Sequence, residues 1–148
     1  MPRTALPAGA AAAIAVLTVL AGCSGVVRVD PPTPTGVAAA ACEKLAGALP
    51  RTLDGLDRVA SEPASPYVAV WGEGEIALRC GVERPAAMDP TAEVSDVDGV
   101  GWFNDPQRPA LYTAVNREAY VELTISPEHA PAAIQVDLAG PIKAAVPQ

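Results

Sequence analysis

Apolar residues change their spacing along the chain, and each change marks an element. Ala10 to Ala21 form a run of twelve residues that is apolar apart from Thr18. As a helix it is only about 18 Å long, short of the ~30 Å hydrocarbon core of a bilayer. A proline-rich stretch follows, with Pro31, Pro32 and Pro34 among Thr33 and Thr35. From Val37 the spacing becomes helical. Ala38 to Ala41 favour helix, and Cys42, Leu45 and Leu49 recur at i, i+3 and i+7 before Pro50 stops or kinks the run. Leu53 and Leu56, either side of Gly55, predict a further turn ahead of the loop at Pro63 and Pro66.

Beyond that loop the period is two. Tyr67 to Trp71 reads as a short strand, and Glu75 to Val82 alternates cleanly. Ile76, Leu78, Cys80 and Val82 share one face, while Glu75, Ala77 and Arg79 share the other. Val94 to Phe103 holds Asp98-Gly99 between two strand-like segments, the pair expected in a two-residue hairpin turn because both positions take positive φ. Ala110 to Val115 and Ala119 to Ile125 predict a second hairpin around Asn116 and Arg117, with Val121, Leu123 and Ile125 facing the core. Ser126-Pro127 resembles a helix start. Ile134, Leu138 and Ile142 then share a helical face, with Pro141 expected to kink or end it. Ile134, Val136 and Leu138 also alternate, which leaves a terminal strand open. The fold class expected is α+β: one small domain with an antiparallel sheet of about four or five strands and an N-terminal and a C-terminal helix on one face.

The apolar run at the start takes on a meaning from what ends it. Leu20-Ala21-Gly22-Cys23 has the form of a lipobox, in which small residues admit the peptidase and the cysteine thiol accepts the acyl group. Residues 1–22 are therefore expected to be a removable signal peptide, and Cys23 to be the lipidated residue. Residues 23–36 would then be a lipidated cysteine and an extended tether, and residues 37–148 the domain. Removing 22 of the 148 residues, with Arg3 among them, leaves 17 acids against nine bases and a net charge of −8. Such a domain has no electrostatic reason to bind nucleic acid and is repelled by anionic headgroups, so attachment to the plasma membrane must come from the acyl chains. With Cys23 taken by lipid, Cys42 and Cys80 remain as a pair, most simply a disulfide in an exported protein. Cys42 lies with Leu45 and Leu49, and Cys80 with Ile76 and Leu78. The bond would therefore join helix face to sheet face inside the core.

Little else in the sequence carries chemistry. His129, the sole histidine, stands beside Glu128 and Ala130 and is expected to be a solvated side chain. Asp96, Asp98 and Gly99 begin like a calcium loop, but the later ligands are missing. Glu73 and Glu75 around Gly74 read as solvated turn residues, and Gly72 and Gly74 precede no helix that could cradle a phosphate. No catalytic residue, metal or cofactor is expected. Trp71-Gly72, Leu78-Arg79-Cys80-Gly81-Val82 with Arg84-Pro85, Cys42-Glu43-Lys44-Leu45, Asp98-Gly99-Val100 near Trp102, and Ala119-Tyr120-Val121-Glu122 resemble a family of actinobacterial envelope proteins, domain of unknown function 3515. The resemblance covers roughly residues 42–125. It implies a small secreted or lipid-anchored domain and supports the disulfide, but names no activity. The expected function is a non-enzymatic binding or scaffold module on the outer leaflet of the plasma membrane, docking an envelope protein or cell-wall component. The alternatives are an envelope enzyme built from scattered carboxylates and Arg79, and a small-ligand carrier. Alternation puts Arg79, Tyr120, Glu122 and Thr124 on the sheet face away from the helices. Tyr67 and Trp71 share a side of their own strand. With Tyr112 they would complete an aromatic and arginine face of the kind enriched at interfaces.

Overall fold

The computed structural model describes Met1 and residues 25–148; the expected signal peptide and Cys23 lie outside the described residues. In chain order the elements are β1 (Val27–Arg28), α1 (Gly36–Ala48), β2 (Thr52–Leu53), β3 (Leu56–Val59), β4 (Ser61–Glu62), β5 (Val68–Trp71) and β6 (Ile76–Val82). Then come β7 (Ser95–Val97), β8 (Val100–Asn104), β9 (Leu111–Val115), β10 (Tyr120–Ile125) and α2 (Pro131–Ala145). Eight strands form one sheet in the order β2-β3-β5-β6-β10-β9-β8-β7, every neighbouring pair antiparallel. The class is α+β as expected, but the sheet is larger than four or five strands. Part of the excess is the segment read as a helical turn. Asp54 and Gly55 both take positive φ, 49° and 79°, and fold Leu53 and Leu56 into a hairpin. This is the same Asp-Gly chemistry that makes the β7–β8 turn, where Asp98 and Gly99 sit at 50° and 79°.

Both helices cover one face of the sheet. Cys42 and Leu45 on α1 are fully buried and Leu49 nearly so, and the helix stops before Pro50. Cys42 is bonded to Cys80 of β6, with the two Cα atoms 5.5 Å apart, so the disulfide ties helix to central strand in the core as expected. Ile134, Leu138 and Ile142 are fully buried, which makes the C-terminal element a helix and excludes the terminal strand. Its start differs from expectation. Ser126 to His129 is a turn closed by the His129 N–H on the Ser126 carbonyl at 3.1 Å, and the helix begins with Pro131, where the missing N–H costs nothing. Pro141 lies inside the helix without ending it. Side chains on either side of it, Leu138 and Ile142, are buried among Trp102, Val121 and Leu123. That apolar contact outweighs the one hydrogen bond proline forgoes.

The sheet's other face, called the outer face below, is crossed by two irregular segments. Residues 83–94 must carry the chain from β6 in the sheet centre to β7 at its edge, and they pass over this face: Val94 meets Gly101, and Ala87, Ala92 and Glu93 border a hollow with Phe103. The second is the stretch expected to be a tether. It is extended, and residues 27–34 form a strap docked on the domain. β1 pairs in parallel with β4, the Val29 N–H donates to the Glu62 carbonyl at 3.2 Å, and Arg79 Nε donates to the Asp30 carbonyl at 3.0 Å. Pro34 closes the strap against Gly81, where a Cβ would come within 2.5 Å of the proline ring.

Candidate functional site

Strand register decides which side chains meet on the outer face. Arg79 is opposite Glu122 on one side and Val68 on the other, and Glu122 is opposite Thr113. Arg79 Nη1 donates to Glu122 Oε1 at 2.8 Å, with the two side chains 34% and 17% exposed. This half-buried pair forms the floor of a cleft of about 430 Å³. Pro32 and Thr33 of the strap make one wall, Glu83 to Ala86 another, and Arg108 a third. Arg108 is held by Asp105, a buried carboxylate that also accepts the Gln107 N–H at 2.9 Å. Those bonds, the Gln107 backbone bond foremost and the Arg108 guanidinium after it, hold the Asp105 carboxyl below its ordinary range against an opposing desolvation. Arg84 lines the cleft with no ion-pair partner among the described residues. The cleft thus presents three guanidinium groups on a chain of net charge −7.

Gly81 makes the cleft possible. β6 carries a bulge where the pairing shifts from Val121–Cys80 to Tyr120–Val82, and Gly81 is the extra residue, at φ 86°. The bulge re-aims the strand end and leaves room for Pro34, so the strap seats where a side chain would otherwise stand.

A model of the family described as protein of unknown function (DUF3515) matches residues 4–148. The chain belongs to the DUF3515 family. Searches of curated proteins and of solved structures gave no match. In this DUF3515 protein the Arg79-Cys80-Gly81 run has three separable jobs. Arg79 reaches outward to Glu122 and the strap, Cys80 points inward to the disulfide, and Gly81 supplies the bulge.

Of the six residues expected on one interaction face, the structure brings together three. Arg79, Tyr120 and Glu122 lie on the outer face, Tyr120 half-buried. Tyr67, Trp71 and Tyr112 are on the helix side. Trp71 pairs with Ile76 and is fully buried, its Nε1 donating to the Pro50 carbonyl at 3.1 Å beneath the Arg58 guanidinium. Tyr67 packs against the core and donates its hydroxyl to Glu43 of α1 at 3.2 Å. Tyr112 pairs with Leu123 and so faces inward with it, which sends Leu111, Thr113 and Val115 outward. The reason for the correction is that both faces of this sheet are buried. Val68, Val70, Phe103, Leu111 and Val115 are apolar and covered on the outer side, so an apolar residue does not identify the helix side.

Sequence reasoning missed Arg84 and Arg108 as parts of the cleft and the Asp30 carbonyl as a partner of Arg79, since residues 30, 79, 84, 108 and 122 share no periodicity. It also missed the setting of His129. The imidazole is not free in solvent: Nδ1 lies 2.7 Å from Asp54 Oδ2 in the β2–β3 turn, and the ring borders a hollow of about 400 Å³ with Ser126, Ile125 and Tyr112. The Asp54-Gly55 dipeptide was the available signal, because it marks a turn that projects a carboxylate.

Proposed function

We propose that this DUF3515 domain is an exported, lipid-anchored binding or scaffold module that engages a component of the cell envelope through its outer-face cleft. The observation that carries this reading is the Arg79–Glu122 pair at the floor of a cleft walled by Pro32, Arg84 and Arg108. A half-buried, hydrogen-bonded ion pair holds a guanidinium at a fixed angle, and partly occupied guanidinium groups keep N–H donors for a partner's acceptors. Tyr120 beside them adds rigid amphipathic area at low entropic cost. Anchoring is supported by the lipobox ending at Cys23. The test is a photo-crosslinker at exposed Thr124 on the same face, used in intact envelopes. A discrete adduct is expected, lost in Arg84→Ala and Tyr120→Ala proteins that melt like the parent. An adduct unchanged in both variants overturns the cleft as the docking surface.

A second reading, an envelope enzyme, draws on one observation. Asp54 Oδ2 lies 2.7 Å from His129 Nδ1, the relation of an orienting carboxylate to a base, and Ser126 lines the same hollow. Purified protein that hydrolyses an activated ester, with the rate abolished by His129→Ala, would favour it; equal background rates in both proteins would remove it.

A further inference from the structure

We infer that the domain lies directly on the bilayer, with the end carrying the β5–β6 turn facing the lipid headgroups. The inference rests on the reading of Cys23 as the lipid-bearing residue and adds what that reading leaves open, the orientation of the domain. Its first support is the length of the leash. A free tether from Cys23 to α1 would span up to about 42 Å. The strap begins at Val27, however, where the β1–β4 pairing starts, so only Ser24, Gly25 and Val26 separate the anchor from the docked chain. Those four residue steps reach at most about 14 Å.

The second support is where the strap starts. The Val27 side chain comes within 3.3 Å of the Cβ position of Gly74 in the β5–β6 turn. From there the strap runs along the outer face to Arg79 through Asp30 and to Gly81 through Pro34, so it ascends β6 from its first residue towards its last. The anchor is consequently at the Ile76 end of β6, and the Val82 end, with the β7–β8 and β9–β10 turns, is about 20 Å further away.

The third support is the surface at that near end. Ser126 donates its N–H to the Glu75 carbonyl at 2.8 Å, which places the Ser126–His129 turn beside the β5–β6 turn. There the hollow lined by Pro109, Ala110, Tyr112, Ile125, Pro127 and Pro131 opens, mainly apolar in its residues. Val26, 59% exposed, projects apolar surface next to the anchor itself. Exposed Glu73 in the β5–β6 turn and Glu128 in the Ser126–His129 turn lie at this end and oppose anionic headgroups. Attraction therefore comes from the acyl chains and the short leash, and zwitterionic lipid is the appropriate test surface. In this pose the cleft, walled by residues 83–86 after the far end of β6, stays open to a partner.

The test uses the full lipidated protein in phosphatidylcholine vesicles containing a lipid with a nitroxide on its headgroup. A fluorophore is attached to a single added cysteine, in Glu73→Cys at the near end or Glu118→Cys at the far end. Quenching at position 73 is expected to exceed that at position 118 at least twofold. In a Gly81→Ala background, where the added Cβ displaces Pro34 and loosens the strap from β6, the contrast should shrink as the leash lengthens. Equal quenching at both positions, or more at 118, overturns the inference while leaving lipidation intact. A mass spectrum of the same preparation, showing whether the N-terminal peptide carries lipid, separates that outcome from failure of the anchor itself.

Discussion

At Gly81 a positive φ, a β-bulge and a proline contact coincide in one residue. Alanine there meets two penalties: a left-handed backbone conformation worth about 1–2 kcal/mol to an L-residue, and a Cβ pressed into Pro34. Gly81→Ala is therefore expected to lower stability by roughly that amount and to expose residues 25–36 to proteolysis while the disulfide-linked domain stays folded. Limited digestion followed by mass spectrometry reads both effects. Asp105 supports a different kind of prediction. Its folded-state pKa is depressed, chiefly by the Gln107 N–H, so its contribution is complete above the ordinary value of 3.8 and is lost as pH falls through the lower folded-state value. Thermal melts of the parent should fall in that acid window. Those of Asp105→Asn should start lower at pH 7 and fall less there, narrowing the gap between the two proteins.

Among the elements, α1 depends on its covalent link more than on its own sequence. Thirteen residues with three glycine or valine positions are short for an isolated helix, and no side chain caps its N-terminus. The Cys42–Cys80 bond closes a separation of 38 residues, worth about 4 kcal/mol in the chain-entropy model. Replacing both cysteines with alanine should cost about 2–5 kcal/mol, measured by urea denaturation, with α1 losing hydrogen-exchange protection ahead of β6 and β10. Helix α2 has the opposite character: a strong apolar stripe carries it through Pro141. Legibility followed the same division. The α1 stripe, the Asp98-Gly99 hairpin and β10 could be read directly, because a period or a turn dipeptide states them within ten residues. The β2–β3 hairpin carried an equally local signal in Asp54-Gly55, but two-residue strands are too short to show a period.

For the molecule as a whole, the proposed anchor raises the question of how the domain would stand on a membrane. Cys23→Ala is expected to leave the fold unchanged, since the residue precedes the strap, and to abolish lipidation and alter N-terminal processing. Fractionation with intact-mass measurement checks it; a variant that still carries lipid would contradict the anchor assignment. The strap makes orientation a property of the fold. Residues that alone would behave as a flexible proline-rich linker become a ruler once Arg79 and Gly81 fasten them.

What the sequence by itself determined was local or paired by elimination: the helix and strand periods, the α+β class, the cysteine pair and the family resemblance later matched across residues 4–148. What only the tertiary structure decided was which way each strand faces and what lies upon it. Alternation states that Tyr67 and Trp71 share a side; it takes the pairing of Trp71 with Ile76 to say which side that is. The cleft and the His129–Asp54 pair belong to the same class, since their members stand up to 90 and 75 residues apart and meet through sheet register and loop crossings. The strap is the clearest case. A proline-rich segment has no pattern that separates a free linker from one docked on a bulge, because the docking energy resides in Arg79 and Gly81, far along the chain.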